Sequence, residues 1–121
     1  MLATSMARSA GYGSPLAKSP REVEYELFAR ITRALQSADP SNAGGRAAQA
    51  IVDNNHLWTE LAADLSNPGN ELPEGLKAQL LSLAMFSIRH GTRVLSGNGN
   101  VSALIDINLN IMKGLRGRGD E

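Results

Sequence analysis

The sequence predicts an all-α protein: a small bundle of about four helices with a disordered N-terminal arm. Three observations predict it. Apolar residues recur every three to four positions in four separate stretches, which is the spacing of one helix face. Nowhere does the chain sustain the apolar–polar alternation of a half-buried strand. Turn-forming clusters, Asn67-Pro68-Gly69-Asn70 and Ser96-Gly97-Asn98-Gly99-Asn100, separate the later stretches. No repeat with a period of 20–50 residues is present, so short helices joined by short turns imply a bundle or a helical hairpin array.

Residues 1–18 are rich in Ala, Ser and Gly and read as a flexible arm. The helical domain is expected over 19–115. Its first helix opens at Ser19-Pro20-Arg21-Glu22, where Ser19 caps, proline suits the first helical position and Glu22 completes a capping box. Val23, Leu27, Ile31, Ala34 and Ala38 form its stripe, with Phe28 and Leu35 at the edge and Tyr25 on the opposite side. Asp39-Pro40 ends it, because a residue before proline disfavours the helical region. A second helix lies within 41–66. Gly44-Gly45 leaves its start open, but Ala47, Ala50, Ile51, Trp58, Leu61 and Leu65 mark a clear stripe with Asn54 in the middle and His56 on the far side.

The third helix follows Pro73 and stops before Gly97. Leu76, Leu80, Leu83, Ala84, Ser87, Gly91, Val94 and Leu95 form its main stripe, in which Ser87 and Gly91 are small enough to let a neighbouring helix approach. Leu81, Met85 and Ile88 form a second apolar strip, and Phe86 lies on yet another side. A helix apolar round most of its girth is either central or covered by a partner. The fourth helix is expected from about Val101 to Leu115, with Val101, Leu104, Ile105, Ile111, Met112 and Leu115 around a central Asn108. Residues 116–121 read as a frayed tail.

Composition excludes several functions. Without cysteine there is neither disulfide nor thiolate metal site. Twelve Lys/Arg against twelve Asp/Glu give a formal net charge of zero, so the basic excess that drives phosphate binding is missing and no direct nucleic-acid partner is expected. No apolar run reaches the roughly 20 residues of a membrane span, and no signal-peptide stretch is seen, so no membrane partner and a cytoplasmic address are expected. His56 and His90 lack companion ligands, and no nucleophile elbow, phosphate loop or dinucleotide fingerprint occurs. The expectation is a protein that is not an enzyme and needs no cofactor, metal or small-molecule substrate.

What remains is binding. The surplus strip of Leu81, Met85, Phe86 and Ile88 suits an incoming amphipathic helix, and methionines there (Met85, with Met112 on the fourth helix) suit an adaptable surface. Tyr25, facing away from its core stripe, is a candidate anchor. Asn54 and Asn108, each amid apolar residues, need hydrogen bonds. They pair with backbone or with each other to fix helix register, or they meet a polar group of an incoming helix. Trp58, the only tryptophan, lies within a stripe and reads first as core.

A set of blocks in order carries a resemblance: Ser19-Pro20-Arg21-Glu22-Val23-Glu24-Tyr25, Phe28 to Leu35, Asn54-Asn55-His56-Leu57-Trp58 to Asp64, Gly69 to Pro73, Leu76 to Leu80, Leu104 to Asn108, and Ile111 to Leu115. Together they resemble the family of the flagellar biosynthesis regulator FlaF, over roughly residues 12–115. The resemblance implies a small helical cytoplasmic protein required for flagellin to be made and exported. Its partners would be flagellin, held as by a secretion chaperone, and the translational regulator FlbT. An alternative role is post-transcriptional control of flagellin messenger RNA, directly or through FlbT. No catalytic residue is transferred by it.

Overall fold

The computed structural model describes residues 20–37 and 45–119 of the chain, and among them every regular element is a helix. They are α1 (Pro20–Ser37), α2 (Gly45–Leu65), α3 (Glu74–Leu95) and α4 (Ser102–Gly119). The predicted arm, the capping Ser19 and the Asp39-Pro40 stop lie outside the described residues. The fourth helix runs four residues further than expected, through the glycine-rich stretch to Gly119.

Each helix packs on the next and α4 closes back on α1, with α2 and α3 the most extensively apposed pair. Shared hollows give the directions. Leu35, late in α1, meets Ala47 and Ile51 early in α2, Val94 late in α3 and Val101 just ahead of α4. Tyr25, early in α1, meets Leu109, Met112 and Lys113 in the later part of α4. Neighbours are therefore antiparallel, and the chain forms an up-down-up-down four-helix bundle.

The two described connections are built by asparagines. In residues 66–73, Asn67 Oδ1 accepts the Gly69 N–H at 2.8 Å and Asn70 Oδ1 accepts the Leu72 N–H at 3.0 Å, and both Asn70 and Leu72 are buried. These side-chain bonds replace backbone partners that a tight reversal removes. After α3 the Gly97 N–H donates to Val94 O at 3.0 Å and the Asn98 N–H to Arg93 O at 2.8 Å, with Gly97 at φ +90°. This is a Schellman stop, and its left-handed position requires the glycine. Asn100 Oδ1 then accepts the Ser102 N–H at 2.8 Å and starts α4.

The core is Phe28, Ile31 and Leu35 from α1, Ala50, Ile51, Leu57, Trp58 and Leu61 from α2, Ala84 from α3, and Leu104 and Leu115 from α4. The buried face of α1 is turned from the expected one. Glu24, Phe28, Thr32 and Leu35 are at its centre, whereas Val23 and Leu27 are half-buried and Ala34 is exposed. A pattern read from apolar residues alone drops Glu24 and Thr32, and so slides the stripe round the helix. Tyr25 is corrected with it: the ring packs on the edge of the core beside α4 rather than pointing away.

Gly114 sits inside α4 with nothing within 4 Å of an added Cβ. Gly114→Ala is expected to stabilise the fold by about 0.5–1 kcal/mol through helix propensity alone, read as a higher urea midpoint with an unchanged slope.

The buried amide relay and the outer face of the third helix

Polar residues tie three of the helices together at the centre. Trp58 Nε1 donates to Asn108 Oδ1 at 3.0 Å, Asn108 Nδ2 donates to Asn54 Oδ1 at 2.7 Å, and Asn54 Nδ2 donates to Ser87 Oγ at 3.3 Å. Asn54, Asn108 and Ser87 are 0% exposed and Trp58 is 1% exposed. Each donor points the same way along α2, α4, α2 and α3, so each bond polarises the next. Phe28 meets the Trp58 ring edge to face at 5.8 Å. Of the two readings of Asn54 and Asn108, pairing with each other is the one the fold adopts. Both amides face inward, out of a partner's reach in this arrangement, and so leave the candidate surface.

The small residues of α3 explain what that helix shows outside. Its fully buried positions are Ala84, Ser87 and Gly91. They let α2 come close, Asn54 against Ser87 and Asn55 against Gly91. The helix is not central, since it packs on α2 and α4 and not on α1. Its large side chains are consequently left on the flanks and the outer face. Met85 is 61% exposed and Phe86 47% exposed, and Leu95 is exposed as well. Leu81 is half-buried, and Ile88 is half-buried against the core.

Phe86 is not loose. Its ring stacks on His90 with centroids 5.5 Å apart and planes 14° from parallel. His90 Nε2 is 2.7 Å from the carbonyl of Asn100, so that nitrogen carries the proton and donates. The turn after α3 thus holds His90, and His90 holds Phe86. The outer face offers one steadied aromatic beside one flexible thioether. The role of His90 was missed from the sequence because its partner is a backbone carbonyl, which no residue pattern records.

The remaining candidates lie elsewhere. Tyr25 and Met112 line one groove between α1 and α4, together with Leu109, Asn110 and Lys113. Leu109 is exposed there, while Met112 is half-buried against the core. Among the described residues no group of three His, Cys, Asp or Glu is placed to hold a metal ion, and no helix is long and apolar enough to cross a membrane.

A model of the family described as flagellar protein FlaF matches residues 12–115. No curated protein and no solved structure matches the chain. The matched stretch takes in all of α1, α2 and α3, both members of the buried amide pair and α4 as far as Leu115. The chain belongs to the FlaF family and is a flagellar-related protein.

Proposed function

We propose that this protein binds flagellin and acts as a chaperone and regulator required for flagellin synthesis and export, with the outer face of α3 as the docking surface. The observation that carries the reading is the exposure of Met85 and Phe86 on a helix whose own packing uses only small residues. Exposed large apolar groups that sit together are the usual mark of a surface meant to be covered. A groove-and-helix mode fits, with an amphipathic helix of flagellin laying its apolar face over the methionine and the fixed phenylalanine. FlbT is a second partner under the same reading, bound elsewhere or in succession.

Titration of the purified chain with flagellin from the same cell is the test, followed by calorimetry. One-to-one binding with a negative heat-capacity change is expected, because apolar surface leaves water. Met85→Glu with Phe86→Glu is expected to weaken that binding by about 30-fold or more, a hot-spot loss. The same pair is expected to shift stability by no more than about 0.5 kcal/mol, because both side chains are already in water. Ile88 is a poor probe, since it packs on the core and a charge there tests the fold instead. Unchanged affinity in the double variant would remove α3 as the docking face, and no binding at all would shift the reading to FlbT or messenger RNA.

A further inference from the structure

Zero net charge conceals a segregation of charge along the chain. Between Glu74 and Asp106 there is no Asp or Glu, and the cations in that span are Lys77, Arg89 and Arg93. Helix α2, by contrast, carries Asp53, Glu60 and Asp64, with Arg46 its only Lys or Arg. Lys77 is already engaged, 3.1 Å from Glu74 and donating to the carbonyl of Asn70 at 3.3 Å. Arg89 and Arg93 are exposed, and among the described residues neither is in an ion pair.

Their position matters more than their number. Arg89 lies four residues after Met85 and three after Phe86, so on the helix surface it neighbours both exposed apolar groups. Arg93 is one turn further on, and two like charges at that spacing repel each other. Nothing on α3 relieves them except the favourable end of the helix dipole. The α3 face is therefore an apolar pair set beside two unneutralised guanidiniums.

We infer that this face takes an amphipathic helix whose apolar stripe is flanked by carboxylates. The stripe covers Met85 and Phe86. The flanking Asp or Glu pair with Arg89 and Arg93 through charge-assisted bonds, for which the planar guanidinium is suited, and remove their mutual repulsion. A helix with a basic flank meets like charge at the same contact and is rejected, so the two arginines set specificity and encounter rate more than total affinity. The inference rests on the reading of α3 as the docking surface and names the chemistry of what docks.

Two designed peptides test it, alike in length and leucine stripe, one flanked by Glu and the other by Lys. Each is titrated against the full chain. The Glu-flanked peptide is expected to bind about tenfold or more tightly at low salt, with the advantage shrinking as salt screens exposed charges. Arg89→Gln with Arg93→Gln is expected to abolish the preference, and Arg89→Glu with Arg93→Glu to reverse it. Equal affinity for the two peptides, or a preference that survives in both double variants, overturns the inference. Flagellin titrated in parallel separates the two claims. Flagellin binding that is lost in Met85→Glu yet untouched in Arg89→Glu with Arg93→Glu overturns the carboxylate flank and leaves the flagellin reading standing. A clear Glu-peptide preference with no flagellin binding supports the flank and removes flagellin as its source.

Discussion

Asn108→Ala is expected to destabilise the fold by about 3–5 kcal/mol, because it strands two buried groups at once. The Trp58 N–H loses its acceptor and Asn54 Oδ1 loses its donor, and water reaches neither. Each stranded group costs about 1–3 kcal/mol, and the vacated volume adds a cavity. Set against a total stability of about 5–15 kcal/mol for an ordinary domain, the loss is a large share of the whole. Urea unfolding followed by Trp58 fluorescence measures it. Asn54→Ala is expected to be nearly as harmful, and the double variant distinctly less harmful than the sum, since the bond between the amides is lost only once. A loss below about 1 kcal/mol for Asn108→Ala, or simple additivity, would show that the relay is not what holds the centre.

Gly91→Ala is expected to destabilise by about 1–2 kcal/mol, against the usual sign for such a change inside a helix. A Cβ built on Gly91 stands 3.2 Å from Cγ of Asn55 and 3.3 Å from its Nδ2, with Oδ1 closer than either. The Asn55 amide is wedged between α2 and α3, its oxygen buried. Making room means moving either that amide or the α2–α3 spacing. Propensity returns about 1 kcal/mol and overpacking costs about 1–3, so the overlap decides the sign. Asn55→Ala added to Gly91→Ala is expected to recover most of the loss. Gly114→Ala provides the contrast, because the same substitution meets open space there. If both glycine variants shift the urea midpoint upward, the close approach of α2 to α3 is not limiting.

Much of this fold was legible in the residues, and the reasons for the rest are physical. Four helices, both described turns and the stripe of α2 follow from period and turn chemistry, which act locally. The surplus apolar strip on α3 was legible too, since exposed and buried apolar residues leave the same mark in a sequence. Which of them are exposed was not, because that depends on which helix stands opposite. Leu81 and Ile88 turned out half-buried, while Met85 and Phe86 were left outside. Polar burial was the least legible: Glu24 and Thr32 belong to the core face of α1 and displaced its expected centre. Asn54 and Asn108 were conspicuous as polar residues among apolar ones. Only the third dimension shows that one answers the other, and that Trp58 and Ser87 complete the line.

The amide relay divides the molecule unequally. Its members come from α2, α3 and α4, and directional bonds of fixed length hold those three helices in one register, since a slip by one turn of about 5.4 Å would break every link. Helix α1 contributes none of its members and sets Phe28, Ile31 and Leu35 against the others. Apolar contact has no preferred angle, so α1 can shift or turn by small amounts without leaving a buried donor unanswered. The bundle is thus a rigid three-helix frame carrying one adjustable stave. A guest that needs the barrel to widen would find the give along α1, while the face of α3 keeps its shape.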